Sequence, residues 1–333
     1  MIARLKERFR RPGPAGWLAL GGLGVLVLVA LALGWYWSRE PDTFWVNERP
    51  ENRPDAVGYS TVDTLVRTVS WLLEKPGGYL SNDVMPPSVW LDNMPNFEFG
   101  VLVQCRDLAR VLRNDYSRSQ SQSVEDPDLA VAEPALNSPN DSWIFPPSES
   151  RYREAIRALE SYRARLVDDD HADARFYARA DNLREWLAVV ERRLGNLSQR
   201  LAASVGQARV NVDLAGSPAG EASPTPVEEV IVKTPWLELD DVFYEARGTA
   251  WALLHFLRAA QFDFAGVLED KNAVVSIRQV IRELEEGLAP VRSPVILNGS
   301  GFGIFANHSL VLASYLSRAH SAVIDLRELL AQG

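Results

Sequence analysis

The chain has 333 residues, 47% of them hydrophobic and 24% charged, an ordinary globular composition with enough apolar residues for one or two buried cores. The net charge is −9, but residues 1–16 carry +4 and residues 17–37 carry none, which leaves −13 on residues 38–333. A body this acidic argues against nucleic acid or an anionic lipid surface as its partner, because like charges would be brought together.

The segment WLALGGLGVLVLVALALGWYW, residues 17–37, contains no charged residue. At about 1.5 Å per residue, a helix of this length just crosses a hydrocarbon layer about 30 Å thick. Trp17 lies at one end and Trp35 to Trp37 at the other, where aromatic rings prefer the lipid headgroups. We therefore predict a transmembrane helix over residues 17–37, in contact with the lipid bilayer.

The basic residues 1–16 precede this helix, which predicts that they stay in the cytoplasm and that the body lies outside it. A cleaved signal peptide is the alternative, because Ala30-Leu31-Ala32 resembles a cleavage site. The apolar run continues for five residues past Ala32 and ends in aromatic residues, which favours an uncleaved anchor. The single cysteine, Cys105, excludes an intrachain disulfide, so the core alone must hold the body together.

Beyond a juxtamembrane linker at 38–57, the chain has helical periodicity. Apolar residues at three- and four-residue spacing predict a helix through 62–73, and the KPGG sequence at 75–78 ends it. A turn-rich segment follows at 79–96. Its amide and carboxylate side chains are candidate contacts for a ligand: Asn82, Asp83, Asp92 and Asn93.

A second helix is predicted at about 97–114, with Glu98 as the carboxylate that has strongly aromatic neighbours. After it comes a hydroxyl-rich run, whose composition indicates a solvated connector. The next helix is expected to begin at Asp126-Pro127, with Asp126 as its N-cap. An extended conformation would instead place the serine hydroxyls on one face, as a ridge for a glycan or a partner backbone. The candidate contact residues of this run are Ser117, Arg118, Ser119, Gln120, Ser121 and Gln122.

A helix at 146–166 precedes the strongest pattern in the chain, an apolar seam at heptad spacing from Leu183 to Leu201. Three heptads are typical of a bundle helix as well as of an intermolecular coiled coil, so packing within the chain is favoured and self-association stays open. The Gly-, Pro- and Ser-rich residues 206–234 predict a flexible loop or a linker between domains.

Further helices are predicted at 235–262, at 271–287 and at the C-terminus. Gly301 and Gly303 precede the last one, where Asn307 is expected to cap the helix, and Asn307 and His308 are candidate contact residues of this turn. The sequence contains no sustained two-residue alternation of apolar and polar residues, so no sheet is predicted. The sequence therefore predicts an all-α extracytoplasmic body, one bundle or two packed ones, behind one N-terminal transmembrane helix.

No catalytic, cofactor-binding or metal-binding motif is assembled in the sequence, so we expect no cofactor and no resident metal. The four histidines are not paired at metal-ligand spacing, and DDDHAD at 168–173 lacks the glycine and glutamate of an EF-hand loop. His255 lies among apolar residues and is expected to be a core histidine with a satisfied hydrogen bond.

Four stretches of the body together resemble one known family: KPGGYLSNDVMPPSVWLDNMPNFEFGVLVQCRDLAR, SRSQSQSVEDPDLAVAEP, ARADNLREWLAVVERRLGNLSQRL and SPVILNGSGFGIFANHSLVLASYLSRA. The family is the bacterial domain of unknown function 2333. The resemblance covers about 55–330 and implies a Gram-negative source and an anchor in the inner membrane. It supplies no activity and no functional residue. Because it includes both sides of 206–234, it favours one unit, 58–333, with an inserted loop.

The leading functional hypothesis is a cell-envelope scaffold or adaptor, anchored in the inner membrane with its body in the periplasm. Sixteen cytoplasmic residues are too few for an output domain, so its partner should be another envelope protein. The alternative is a protein that binds or cleaves peptidoglycan, which would use the polar segments around 79–96 and 115–125.

Overall fold

The computed structural model describes residues 13–46, 56–120, 123–168, 174–210, 229–293 and 295–332. The all-α prediction is confirmed: helices form the architecture of these residues. In chain order they are α1 Pro14–Trp37, α2 Tyr59–Glu74, α3 Asn93–Val111, α4 Pro127–Leu136, α5 Ser148–Val167, α6 Ala180–Ala202, α7 Leu239–Asp263, α8 Ala265–Asp270, α9 Val274–Gly287 and α10 His308–Ala331.

One short pair of strands lies inside the segment predicted as a loop. Strand β1, Gln207–Val210, runs antiparallel to β2, Glu229–Val232, and Gln207 faces Val232 in the register. The amide of Thr234 then donates to the carbonyl of Ala203, 3.1 Å away, at the end of α6. The chain therefore leaves and returns at the same place on the bundle, while residues 211–228 lie outside the described part.

The heptad seam of α6 is buried within the chain, as its spacing predicts. Leu183, Leu187, Val190, Leu194, Leu197 and Leu201 are all in the core. The helix packs along α10, and α10 packs along α9. One hydrophobic cluster contains residues from both sides of 206–234, from Val62 to Leu330.

Two glycines allow α3 and α7 to cross with their backbones in contact. A Cβ on Gly100 would overlap the carbonyl oxygen of Glu245, and a Cβ on Gly248 would overlap that of Phe97. Only hydrogen fits at both positions, so this crossing sets the spacing of the two helices at the centre of the bundle.

The loops at one end of the bundle come together where α1 joins the body. Asn82 donates to the carbonyl of Ser142 at 2.8 Å, Asn96 donates to Asp241 at 2.7 Å, and the rings of Phe243 and His308 are 6.4 Å apart. We call this the anchor end; its loops are 75–92, 137–147, 233–238 and 288–307. The opposite, distal end carries residues 117–120 and the turn between α8 and α9.

Replacing Leu194 with aspartate tests the interior position of the seam. An unpaired carboxylate would be forced into a fully buried site, so we expect Leu194→Asp to lower the free energy of unfolding by about 4 kcal/mol. Urea titration of the full-length protein measures it. Arg192→Asp, on the exposed side of the same helix, is the control and should change stability by about 0.5 kcal/mol or less. Equal effects would show that the seam is not core.

Candidate functional site

The segment after α1 is docked on the body. Residues 38–46, which we call the strap, run along α7 in the direction of that helix. Glu40 contacts Arg247, the carbonyl of Asp42 accepts from the indole of Trp251, and Phe44 contacts His255. Every second residue of the extended strap therefore contacts every fourth residue of α7, which is about one helical turn. The sequence predicted a juxtamembrane linker here, and the structure adds its contacts with the body.

A buried arginine holds the first part of the strap. The guanidinium of Arg247, 4% exposed, donates to the Glu40 carboxylate at 2.8 Å. Its remaining donors go to the carbonyl oxygens of Gly287, Leu288 and Ala289, at 3.1–3.2 Å, where α9 ends. A buried guanidinium left without its carboxylate is costly, so Glu40 is strongly held.

A buried histidine holds the last part of the strap. The amide of Phe44 donates to Nε2 of His255 at 3.0 Å, and the two rings stack with centroids 3.8 Å apart. Nδ1 lies 2.6 Å from the carbonyl of Trp251, so the neutral tautomer with hydrogen on Nδ1 satisfies both contacts. The expected core histidine is confirmed. Burial lowers the pKa of His255 to about 3.

A groove between α3, α6 and α7 is the second candidate site. Its cavity volume is about 510 Å³. Its charged lining has a net charge of +2, the opposite sign to the body as a whole. The charged residues are Arg110, Arg192, Arg193, Arg200, Asp107 and Glu245.

The groove keeps hydrogen-bond donors that the protein itself does not use. Arg193 and Arg200 form bidentate pairs with Asp107 and Glu245 at 2.7–3.1 Å. Arg192 makes no ion pair with any described residue, and Nε2 of Gln104, a side chain only 2% exposed, is buried without a partner. A buried unpaired donor beside arginines suits an anionic acceptor such as a carboxylate.

Glu98, the carboxylate with aromatic neighbours, is fully buried and faces the protein's own turn. It pairs with Lys75 at 2.7 Å and accepts from the amides of Leu80 and Ser81 at 2.9 Å and from the Ser81 hydroxyl. Burial raises the pKa of Glu98, while Lys75 and these donors act in the opposite direction. These contacts give Glu98 a structural role: it fixes the turn after α2.

The other candidates at the anchor end also organise the backbone. Asn82 bridges Ser142 and Glu149, at 2.8 Å each, and Asp83 is exposed. The carboxylate of Asp92 accepts from the amide of Asn93 as α3 begins, and Oδ1 of Asn93 is buried without a partner.

Asn307 caps α10, as its position predicts. Its Oδ1 accepts from the amide of Leu310 at 2.8 Å, and its Nδ2 donates to the carbonyl of Gly299. The neighbouring His308 accepts from the amide of Leu297 at 3.1 Å through Nδ1, and burial lowers its pKa. The last turn before α10 is therefore closed by these two side chains.

The described part of the serine run is a turn and not an extended ridge. The hydroxyls of Ser119 and Ser123 lie 3.0 Å apart, the Ser117 hydroxyl donates to Arg113, and a guanidinium nitrogen of Arg118 donates to the carbonyl of Ser123. The amide of Gln120 also donates to the Ser123 hydroxyl. Ser121 and Gln122 lie outside the described residues, as does most of the DDDHAD segment, residues 169–173.

Sequence reasoning missed the strap contacts and the groove. Gln104 and the arginines of α6 carry a weak signal, because Arg192, Asn196 and Arg200 recur every four residues opposite the heptad seam. Arg247, inside an otherwise apolar stretch of α7, signals a buried ion pair but does not identify its partner. Within the described residues, no group of three or more His, Cys, Asp or Glu is placed to hold a metal ion.

These features define a class: an all-α body behind one N-terminal helix that is long and apolar enough to cross a membrane. Only 6% of the most apolar part of α1 is buried, which is not how a core helix packs. The chain belongs to the family described as "Uncharacterized protein conserved in bacteria (DUF2333)", whose model matches residues 13–333. The family resemblance of the sequence is thereby confirmed. No curated protein and no solved structure matches the chain.

The strap makes stability depend on pH through His255. Its pKa is about 3 when folded and about 6.5 when unfolded, so the unfolded chain binds the extra proton between these values. The contribution of His255 is complete above about pH 6.5 and is lost as the pH falls towards 3. From pH 7.5 to 4.5 we expect the wild type to lose about 2.7 kcal/mol more than His255→Gln, measured by denaturant titration. Equal losses would contradict this assignment.

Proposed function

We propose that the protein is a single-span adaptor of the bacterial envelope. Helix α1 anchors it in the inner membrane, the body lies in the periplasm, and the arginine-lined groove binds a carboxylate-rich segment of another envelope protein. The basic residues before α1 support the orientation, because positive charge is retained in the cytoplasm.

The docked strap is the observation that carries the adaptor role. If the nine residues of the strap were not docked, they could extend by about 30 Å and would let the body move above the membrane. Here Glu40 and Phe44 fasten the strap to α7, which gives the body a fixed position relative to α1. A fixed position suits a protein that presents a binding surface, whereas an enzyme that searches the cell wall gains from reach.

The chemistry of the groove identifies the kind of ligand. Exposed Arg192 and the unused amide of Gln104 both donate hydrogen bonds, so the ligand should supply acceptors and negative charge. An acidic segment of a protein fits, and the ends of peptidoglycan stem peptides carry the same carboxylate group. Peptidoglycan is therefore the second candidate ligand.

Orientation is tested with reporters fused after Gly333. We expect alkaline phosphatase, which folds only outside the cytoplasm, to be active in this fusion. Green fluorescent protein in the same place should stay dark when exported unfolded. Fluorescence with an inactive phosphatase would place the body in the cytoplasm and overturn the proposal.

The groove is tested by reversing two of its exposed charges, Arg192, which makes no ion pair with a described residue, and Arg110, which lies 4.0 Å from Asp107. Arg110→Glu with Arg192→Glu changes the charge of the lining from +2 to −2, and we expect at least tenfold weaker binding of a fluorescent hexaglutamate peptide to the full chain in detergent. The control is Arg278→Glu with Arg282→Glu, an equal change in charge at exposed positions of α9, which should bind as the wild type does.

A parallel arm of this experiment uses isolated peptidoglycan. If the wild type sediments with peptidoglycan, ignores the peptide, and the groove variant stays in the supernatant, the ligand is the cell wall. If neither probe distinguishes the groove variant from its control, the groove is not the binding site.

A further inference from the structure

The body of the protein covers part of the helix that crosses the membrane. Ala30 and Gly34 are the two buried residues of α1, and a Cβ on Gly34 would contact Pro87 and Leu91 at 3.6 Å. Ala30 lies seven residues before the end of α1, about 10 Å along the helix axis. Body residues therefore reach the level of the last two turns of the span.

The residues beside these turns are apolar and exposed. Around Pro87, the loop of the anchor end exposes Val84, Met85, Val89 and Trp90. These side chains do not pack into the core, although they follow directly on buried Tyr79 and Leu80. In water such a cluster is unfavourable, because every side chain in it retains its apolar hydration shell.

Three more loops of the same end repeat this composition. Loop 137–147, bonded to Asn82, exposes residues 143–145, and the turn before α7 exposes Trp236 and Leu237. The loop before α10 exposes Phe302, Ile304 and Phe305, the first two completely. All four loops lie at the end of the bundle where α1 joins the body.

Exposed aromatic residues are concentrated at this end. Outside α1, the exposed Trp and Phe side chains of the described residues are Trp45, Trp90, Trp143, Phe145, Trp236, Phe262, Phe302 and Phe305, and six of these eight lie in anchor-end loops. Tryptophan and phenylalanine on exposed loops are typical of surfaces that enter the boundary between headgroups and acyl chains.

We propose that the anchor end is a lipid-contacting face, whose loops 84–90, 143–145, 236–237 and 302–305 enter the outer leaflet of the bilayer around α1. The proposal rests on the membrane anchor of the proposed function and deepens it, because it adds a second contact with lipid that is independent of the span. Asp83, Asp141 and Asp240 lie near these loops, so the contact depends on apolar side chains and not on attraction to anionic headgroups.

Fluorophores placed on single cysteines test this face in the full-length chain. Cys105 stays in place, because it is completely buried and burial raises its pKa, so it does not react. Met85→Cys, Trp143→Cys and Ile304→Cys report on the face, Val275→Cys at the distal end is the control, and Leu23→Cys reports on the span. Each is labelled with the fluorophore NBD in phosphatidylcholine vesicles, with or without doxyl-labelled phosphatidylcholine as quencher.

We expect lipid-borne quencher to reduce emission at least twofold at positions 85, 143, 304 and 23, and to leave position 275 unchanged. Quenching at 23 alone would overturn the lipid-contacting face and leave the anchor intact. No quenching at 23 would overturn the anchor itself, and the face with it. Quenching at 275 as strong as at 85 would show adsorption of the whole body to the vesicle and also contradict the proposal.

Discussion

The arrangement of the molecule depends on the buried guanidinium of Arg247. It joins three elements that are far apart in the sequence: the strap through Glu40, the end of α9 through three carbonyl oxygens, and the middle of the bundle through α7 itself. Because the guanidinium is buried away from water, each of its N–H groups needs an acceptor. Loss of any one of these acceptors would leave part of the cost of burying the charge uncompensated. The position of α1 is thereby linked to the packing of the core.

The same helix also shapes the groove. Gly248 lets α7 meet α3 at Gly100, and Glu245 and Thr249, which lie at this same crossing, line the groove together with Gln104. Strap and groove therefore lie on one rigid helix that is buried along most of its length. A ligand in the groove and the segment that leads into α1 would be held by the same structural element, as the proposed adaptor role requires.

Local patterns predicted the helices well. The stripe in α2, the seam in α6 and the caps at Asp126 and Asn307 all depend on neighbours within a few residues, and each is present. The strap could not be predicted, because Phe44 and His255 are 211 residues apart and the segment has no helical period. The groove and the aromatic loops were missed for a related reason: their residues converge only after folding, and in the sequence they read as solvated helix faces and turns.

The direction of the strap has a mechanical consequence. Because it runs parallel to α7, a force that pulls α1 away from the body loads Glu40, the Asp42 carbonyl and Phe44 together, in shear. A force directed away from α7 would instead peel the strap off that helix. It would break the same contacts one at a time and would need a smaller peak force. A molecule built in this way resists tension between α1 and whatever its body holds.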